Sequence, residues 1–296
     1  MSNKNLAAAL KNKNDEFYTL YEDVKKECSQ YDFSDKVVWL PTDDEESSFW
    51  QYFSSNYDKL KLHGLFATHI QPDNSYLLVG GNVLQRVVPL DFNGDFFSEK
   101  CNFLWKQIDV VVTNPPFSLY RDFVKTILAH EKQFLLIGNE NSTASRDLFP
   151  FFKNEQIHYG YNNVRQFERA DGERQTFGNI SWFTNLPVKK SNYFVPTRTA
   201  PETDFQCYDN YDAINIDRVK DIPVHCSQIM GVPITYLKKH NPERYEILGL
   251  ASGISRREQL YGEVPYTLNT NDHGGNPMIN GKRKYSRIFI KEKEVK

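Results

Sequence analysis

Over residues 36–150, short apolar runs bounded by turn residues alternate with segments of three- and four-residue hydrophobic spacing. The runs KVVWL (36–40), GLFATHI (64–70), IDVVV (108–112) and FLLIG (134–138) have the near-continuous apolar character of strands buried on both faces. Between them, SSFWQYFSSNYDKL (47–60), residues 98–106 and LYRDFVKTILAH (119–130) read as helices. The alternation predicts an α/β fold with a doubly wound, mostly parallel sheet. NVRQFER (163–169) and FGNISWFTNL (177–186) read instead as antiparallel edge strands.

Near the N-terminus, Tyr18, Tyr21 and Val24 recur at helical spacing. Residues 187–206, within LPVKKSNYFVPTRTAPETDFQ, are rich in proline and small polar residues, which marks a boundary. The expected organisation is therefore a domain over 1–190 and a smaller region over 191–296. Beyond the boundary lie YDAINI, a Gly-Val-Pro-Ile run, and a predicted helix start with Asn241 as N-cap and Pro242 as first helical residue.

Composition narrows the class. Aromatics make up 14% of 296 residues, enough for a sizeable core and for stacking on flat ligands. The four cysteines form no C-x-x-C pair, so neither a disulfide framework nor a zinc site is expected, and no metal is called for. No long uncharged run suggests a membrane span and no secretory leader is evident, which makes a cytoplasmic protein the expectation. The net charge of −2 excludes a nonspecific polyanion binder; any nucleic-acid surface must be local.

Thr113-Asn114-Pro115-Pro116-Phe117 is the most informative segment, because it follows IDVVV directly. Ligands of open parallel sheets bind where strands deliver their carboxyl-end loops. The Asn114 side chain and the Pro115 carbonyl supply two oxygen acceptors. Two successive prolines hold that backbone stiff, and Phe117 offers a flat face. Such a set suits a planar exocyclic amine: accepting both its protons draws electron density onto nitrogen and favours its pyramidal, nucleophilic form. The same residues also suit a plain strand-to-helix turn.

At this motif the sequence resembles amino-methyltransferases, and more narrowly the EcoRI-type adenine-specific DNA methyltransferases. The similar stretches are Asn14-Asp15-Glu16-Phe17-Tyr18-Thr19, VVWLPTDD, Asn93-Gly94-Asp95-Phe96, DVVVTNPPFSLYRDFV, FLLIGNEN, ISWFTNL, YDNYDAINIDRVKDIP and IMGVPITYLKKHNPERYEILG, with a looser match in YSRIFIK. The resemblance implies a Rossmann-like methyltransferase sheet with a smaller C-terminal recognition region, a place in restriction–modification, and S-adenosylmethionine as cofactor. It implies that Asn114, Pro115, Pro116 and Phe117 are catalytic, and that Phe17, Tyr18, Thr19, Asp43, Asp95, Phe96 and Asn114 bind the cofactor. Asn139, after FLLIG, would sit on the cleft rim. The first strand ends in Pro41-Thr42-Asp43-Asp44 without the Gly-rich turn usual in methyltransferases. Asp43 suits either a cofactor contact or a helix cap, and Asp95 either a cofactor contact or a turn.

The implied partner is double-stranded DNA, whose adenine N6 is reachable only after the nucleotide leaves the stack. Lys189, Lys190, Arg256, Arg257, Lys282, Arg283, Lys284 and Arg287 are the candidate phosphate contacts. Asn-Pro-Pro-aromatic motifs also serve methylation of RNA adenine and of protein glutamine, and a catalytically silent DNA-binding relative is a further alternative. The family-like blocks beyond residue 190 and the intact motif favour a DNA enzyme.

Overall fold

The computed structural model describes residues 17–69, 75–81, 86–169, 172–189 and 193–293. These form two compact units. The first runs to Glu140 and resumes over Tyr159–Val188; the second joins Asn141–His158 to the chain from Lys189 onward.

The strands of the first unit are β1 (Phe17–Thr19), β2 (Val37–Pro41), β3 (Gly64–His69), β4 (Tyr76–Gly80), β5 (Arg86–Pro89), β6 (Val110–Thr113), β7 (Gln133–Asn139), β8 (His158–Asn163), β9 (Gln166–Arg169), β10 (Arg174–Thr176) and β11 (Ile180–Thr184). Among the described residues an eight-stranded sheet has the order β5-β4-β3-β2-β6-β7-β11-β8. β3, β2, β6 and β7 are parallel neighbours, while β4, β5 and β11 pair antiparallel. The chain passes from β2 outward to β3 and returns on the opposite side of β2 as β6. The order of connection therefore reverses between β2 and β6, the position at which open α/β sheets bind their ligands.

Alternate residues of the central strands enter different layers. Val38, Leu40, Val110, Val112, Leu135 and Ile137 join one apolar cluster with Val24, Phe49, Trp50 and Trp182, where helices Tyr21–Cys28 and Ser48–Ser55 contribute. On the opposite face Trp39 meets Trp105 of helix Asn102–Gln107 edge-on at 4.9 Å. Helix Tyr120–Ala129 lies so close to β7 that a Cβ on Gly138 would fall 2.5 Å from the Tyr120 ring. Burial from both sides explains the uninterrupted apolar spelling of β2 and β6.

Three expectations are corrected. ISWFT (β11) is not an edge strand: it lies between β7 and β8, and all five of its residues are buried. Phe17–Thr19 is a strand paired with β9, not part of a helix; the helix starts at Tyr21. No helix starts at Asn241. Its side chain and carbonyl do accept from the Glu243, Arg244 and Tyr245 amides, but only one turn forms before the chain becomes extended.

In the second unit, β12 (Ile214–Asn215), β13 (Met230–Pro233), β14 (Tyr245–Ala251) and β17 (Arg287–Glu292) form a sheet in the order β12-β13-β17-β14. β15 (Met278–Ile279) and β16 (Lys282–Arg283) form a separate hairpin. Pairing of Tyr245–Ala251 with β17 claims the backbone that a helix from Asn241 would need. Among the described residues no helix is long and apolar enough to cross a membrane.

Candidate active site

The segment after β6 is the turn-and-helix junction expected from its prolines. Thr113 and Pro115 are buried, Asn114, Pro116 and Phe117 are half-buried, and Ser118 is exposed, so the elbow opens outward instead of ending inside the core. Asn114 Oδ1 is itself enclosed. Phe117 rests on the apolar cluster under the sheet. The Leu119 amide donates to the Pro116 carbonyl at 2.9 Å, which starts the turn into helix Tyr120–Ala129.

Thr113, the last residue of β6, joins this elbow to the loop after β2. Its Oγ1 lies 2.8 Å from the Pro41 carbonyl and 2.8 Å from Asp43 Oδ2, with the Thr42 hydroxyl at 3.3 Å. The two carboxyl-end loops at the reversal point are therefore bonded directly. Asp43 is buried, and burial pushes its carboxyl up to about 7, opposed by hydrogen bonds from Thr113 and Ser47. A protonated Asp43 satisfies the whole group: it donates to Thr113, whose own proton then goes to the Pro41 carbonyl. Ser47 also caps helix Ser48–Ser55 by accepting from the Trp50 amide, so it, not Asp43, is the cap of that helix.

Thr42 adopts φ +73°, a left-handed conformation unusual for a β-branched residue. This is the turn whose sequence, Pro41-Thr42-Asp43-Asp44, has no glycine. Here the chain makes it with threonine, at a cost of about 1–2 kcal/mol, and holds it through the Thr42 amide on the Thr68 carbonyl at 3.0 Å. Strain of this kind concentrates at functional sites.

Asp95 follows Gly94 (φ +73°) and is buried. Its Oδ1 accepts from the Phe97 amide at 2.8 Å, and Oδ2 accepts nothing from the described residues. Burial raises its pKa; the Phe97 N–H opposes that rise. Phe96 is enclosed, its ring 4.4 Å from Phe123 of helix Tyr120–Ala129, while Trp105 donates to its carbonyl at 3.2 Å. Its ring is thus a core element that anchors the Asp95 turn beside the elbow's helix. The neighbouring Phe97 is the half-exposed aromatic.

Thr19, opposite Phe167 on β9, is buried, and its hydroxyl has no hydrogen-bond partner among the described residues. Tyr18 is exposed, and Phe17 completes the strand. Asn139 accepts from the Asn179 amide group at 3.1 Å. No hydrogen bond links Thr19 or Asp95 to Asp43 among the described residues.

The basic candidates divide. Lys189, Lys282 and Arg283 are exposed, and Arg257 is 89% exposed despite Glu258 at 3.8 Å. Arg256 is half-exposed and pairs with the fully buried Asp272 at 3.3 Å. Lys284 lies 3.9 Å from Asp217. Lys190 falls outside the described residues. Arg287 departs from expectation: its side chain is 8% exposed and its guanidinium is committed to Asn215, Asp217 and the carbonyls of Tyr285 and Ser286. A guanidinium so enclosed is a structural brace and cannot reach a phosphate. Sequence reasoning did not single out Thr113, Ser47 or Phe97 for these roles; a hydroxyl closing a buried strand beside the motif was the available sign of Thr113.

A family model described as "Adenine-specific methyltransferase EcoRI" matches residues 5–293. The Type II methyltransferase M.MpnI of Mycoplasma pneumoniae is 36% identical, covering 97% of this chain and 97% of its own. M.MgeORF184P of Mycoplasma genitalium is 31% identical over 97% and 98%, and M.EcoRI of Escherichia coli 33% over 99% and 98%. No solved structure matches.

Proposed function

Because the chain belongs to the EcoRI-type family of adenine-specific methyltransferases, we propose that it transfers a methyl group from S-adenosylmethionine to the N6 amine of an adenine swung out of duplex DNA. It would thus serve as the modification activity of a restriction–modification pair. The observation that carries the reading is the outward-opening Asn114-Pro115-Pro116-Phe117 elbow, bonded through Thr113 to Asp43 at the sheet's reversal point. That strand order, with helices on both faces and an antiparallel strand beside β7, supports a Rossmann-like methyltransferase sheet.

The residues at hand fit the cofactor. Thr19 keeps a buried hydroxyl unpartnered among the described residues, suited to its methionine end. Asp95 keeps one carboxylate oxygen for an adenine amine, with Phe97, not Phe96, as the accessible aromatic. Asp43, held near neutrality, can donate as well as accept toward ribose or amino groups. When bound, S-adenosylmethionine supplies a methyl group activated by a positively charged sulfur. Asn114 Oδ1 and the Pro115 carbonyl accept the two N6 protons and pull electron density onto nitrogen. Phe117 stacks on the base, worth about 1–3 kcal/mol. The diproline backbone keeps both acceptors still, so that much of the rate comes from orientation. No strong base is required, because the amine becomes acidic only once alkylated.

The test is methyl incorporation from labelled cofactor into unmethylated genomic DNA, structured RNA and mixed protein, followed by identification of the modified base. Label is expected in DNA as N6-methyladenine. Asn114→Ala should lower the transfer rate by about 10²–10³-fold, or ~2.7–4 kcal/mol, with DNA affinity nearly unchanged. Label in RNA or protein, or an undiminished Asn114→Ala rate, overturns the assignment.

A further inference from the structure

Among the described residues, Tyr285 is the most exposed large hydrophobic side chain, at 88%, and its hydroxyl has no partner. It follows the hairpin β15–β16, whose two-residue turn Asn280-Gly281 has φ +50° and +71° at its central positions. This is the mirror-image turn that matches strand twist. Both tip amides donate to Asp209, Asn280 to Oδ1 at 3.0 Å and Gly281 to Oδ2 at 2.8 Å. On the other side of Tyr285, Arg287 Nη1 donates to the Tyr285 carbonyl at 3.2 Å and to the Ser286 carbonyl at 3.3 Å. The remainder of that buried guanidinium is tied to Asn215 and Asp217. The backbone is thus fixed both before and after a side chain that touches almost nothing.

A lone exposed aromatic is ordinary; one on a doubly braced backbone is preorganised for something outside the chain. Its surroundings state the partner's charge. Lys282 and Arg283 are exposed and make no ion pair among the described residues, and Lys284 is only loosely neutralised at 3.9 Å. Three cations beside an exposed aromatic on a fixed backbone suit a polyanion carrying flat rings. An apolar protein partner would gain nothing from the three cations, and a bare phosphate surface would leave the aromatic unused.

We propose that Tyr285 stacks on a nucleobase of the bound duplex while Lys282 and Arg283 hold the adjacent phosphates, an inference that rests on duplex DNA being the substrate. Stacking on a displaced or terminal base of a distorted step is favoured by a backbone already in place, since ordering the segment at the moment of binding would cost conformational entropy.

The experiment compares the wild-type protein with Tyr285→Ala, Tyr285→Phe, Lys282→Ala and Arg283→Ala on unmethylated genomic DNA. Tyr285→Ala is expected to lower kcat/KM by on the order of tenfold to a hundredfold, with an unchanged melting temperature. Tyr285→Phe should stay within about threefold, because stacking does not need the hydroxyl. Each lysine or arginine removal should reduce the slope of log affinity against log salt by about 0.9, whereas Tyr285→Ala should leave that slope alone. Wild-type kinetics in Tyr285→Ala, or a loss in Tyr285→Phe equal to that in Tyr285→Ala, overturns the proposal. If the wild-type protein itself neither binds nor methylates DNA, the substrate reading fails and this one with it; an active wild type with a fully active Tyr285→Ala sinks only the stacking role.

Discussion

The Thr113 hydroxyl has one proton and two acceptors at equal distance, the Pro41 carbonyl and Asp43 Oδ2. The conflict disappears when Asp43 carries its own proton, so the hydroxyl and the raised carboxyl form one hydrogen-bonded unit next to Asn114. Removing the hydroxyl with Thr113→Val strands a buried acceptor, the Pro41 carbonyl, and a buried donor, the protonated Asp43 carboxyl, at a cost of about 1–3 kcal/mol. Methyl transfer should fall about tenfold further than DNA affinity, because a loosened elbow misaligns its acceptors. Thr113→Ser should restore both. Urea unfolding and single-turnover transfer rates check this; a Val variant with full activity would separate the anchor from the chemistry. Sequence legibility at this scale follows backbone constraint. Asn114-Pro115-Pro116-Phe117 could be read because prolines fix conformation locally. Arg287 and Phe96 could not, since burial of an arginine or the facing of a phenylalanine depends on strands and helices distant in sequence.

At the scale of elements, the central strands were legible because burial on two faces leaves a short continuous apolar run, too short for a helix and bounded by turn residues. The start at Asn241 was misleading for a converse reason: its capping chemistry is locally correct and forms its turn, but β17 offers Tyr245–Ala251 a full set of strand partners. Long-range pairing outweighed a local preference worth about 1 kcal/mol. Packing between elements was invisible in the sequence, and Gly138 is the sharpest case. A methyl group there would meet the Tyr120 ring at 2.5 Å, in the first turn of the helix that leaves the elbow. Gly138→Ala is therefore expected to displace that helix and to cost about 1–3 kcal/mol by overpacking, with transfer activity lost before the fold. Gly81→Ala, where a Cβ would meet nothing within 4 Å, is the matched control. Circular dichroism melts set against transfer rates distinguish the two; equal behaviour of both variants would refute the packing argument.

For the whole molecule, charge enters twice. The net −2 hides the exposed cations at 282–283, so the overall balance carried little information about partners. The buried carboxyls give the stability a direction with pH. Asp43, Glu27 and Asp95 are all raised chiefly by burial, so the native state binds protons that the unfolded chain releases. For such groups the stabilising contribution is full below the unfolded pKa and is lost as pH rises through the folded one. For Asp43, a rise from 3.8 to about 7 corresponds to roughly 4 kcal/mol at most, drained between about pH 4 and pH 7. The lowered carboxyls Asp217, Asp221 and Glu202 lie in the second unit and lose their contribution only at lower pH, as it falls through their folded pKa. His130 of the first unit, lowered by desolvation, acts in the opposite sense but is exposed and screened by solvent. The first unit should accordingly weaken from pH 5 to pH 8. Its unfolding can be followed without interference, since all four tryptophans, Trp39, Trp50, Trp105 and Trp182, are buried within it. Asp43→Asn copies the protonated acid in shape and keeps a donor for Thr113, so it should flatten the decline in the urea midpoint without abolishing it, leaving the part due to Glu27 and Asp95. A wild-type midpoint that climbs with pH over this range, or an Asn variant with the same slope as the wild type, would mean that Asp43 is ionised in the folded protein and that the neutral hydrogen-bonded unit at the elbow does not exist.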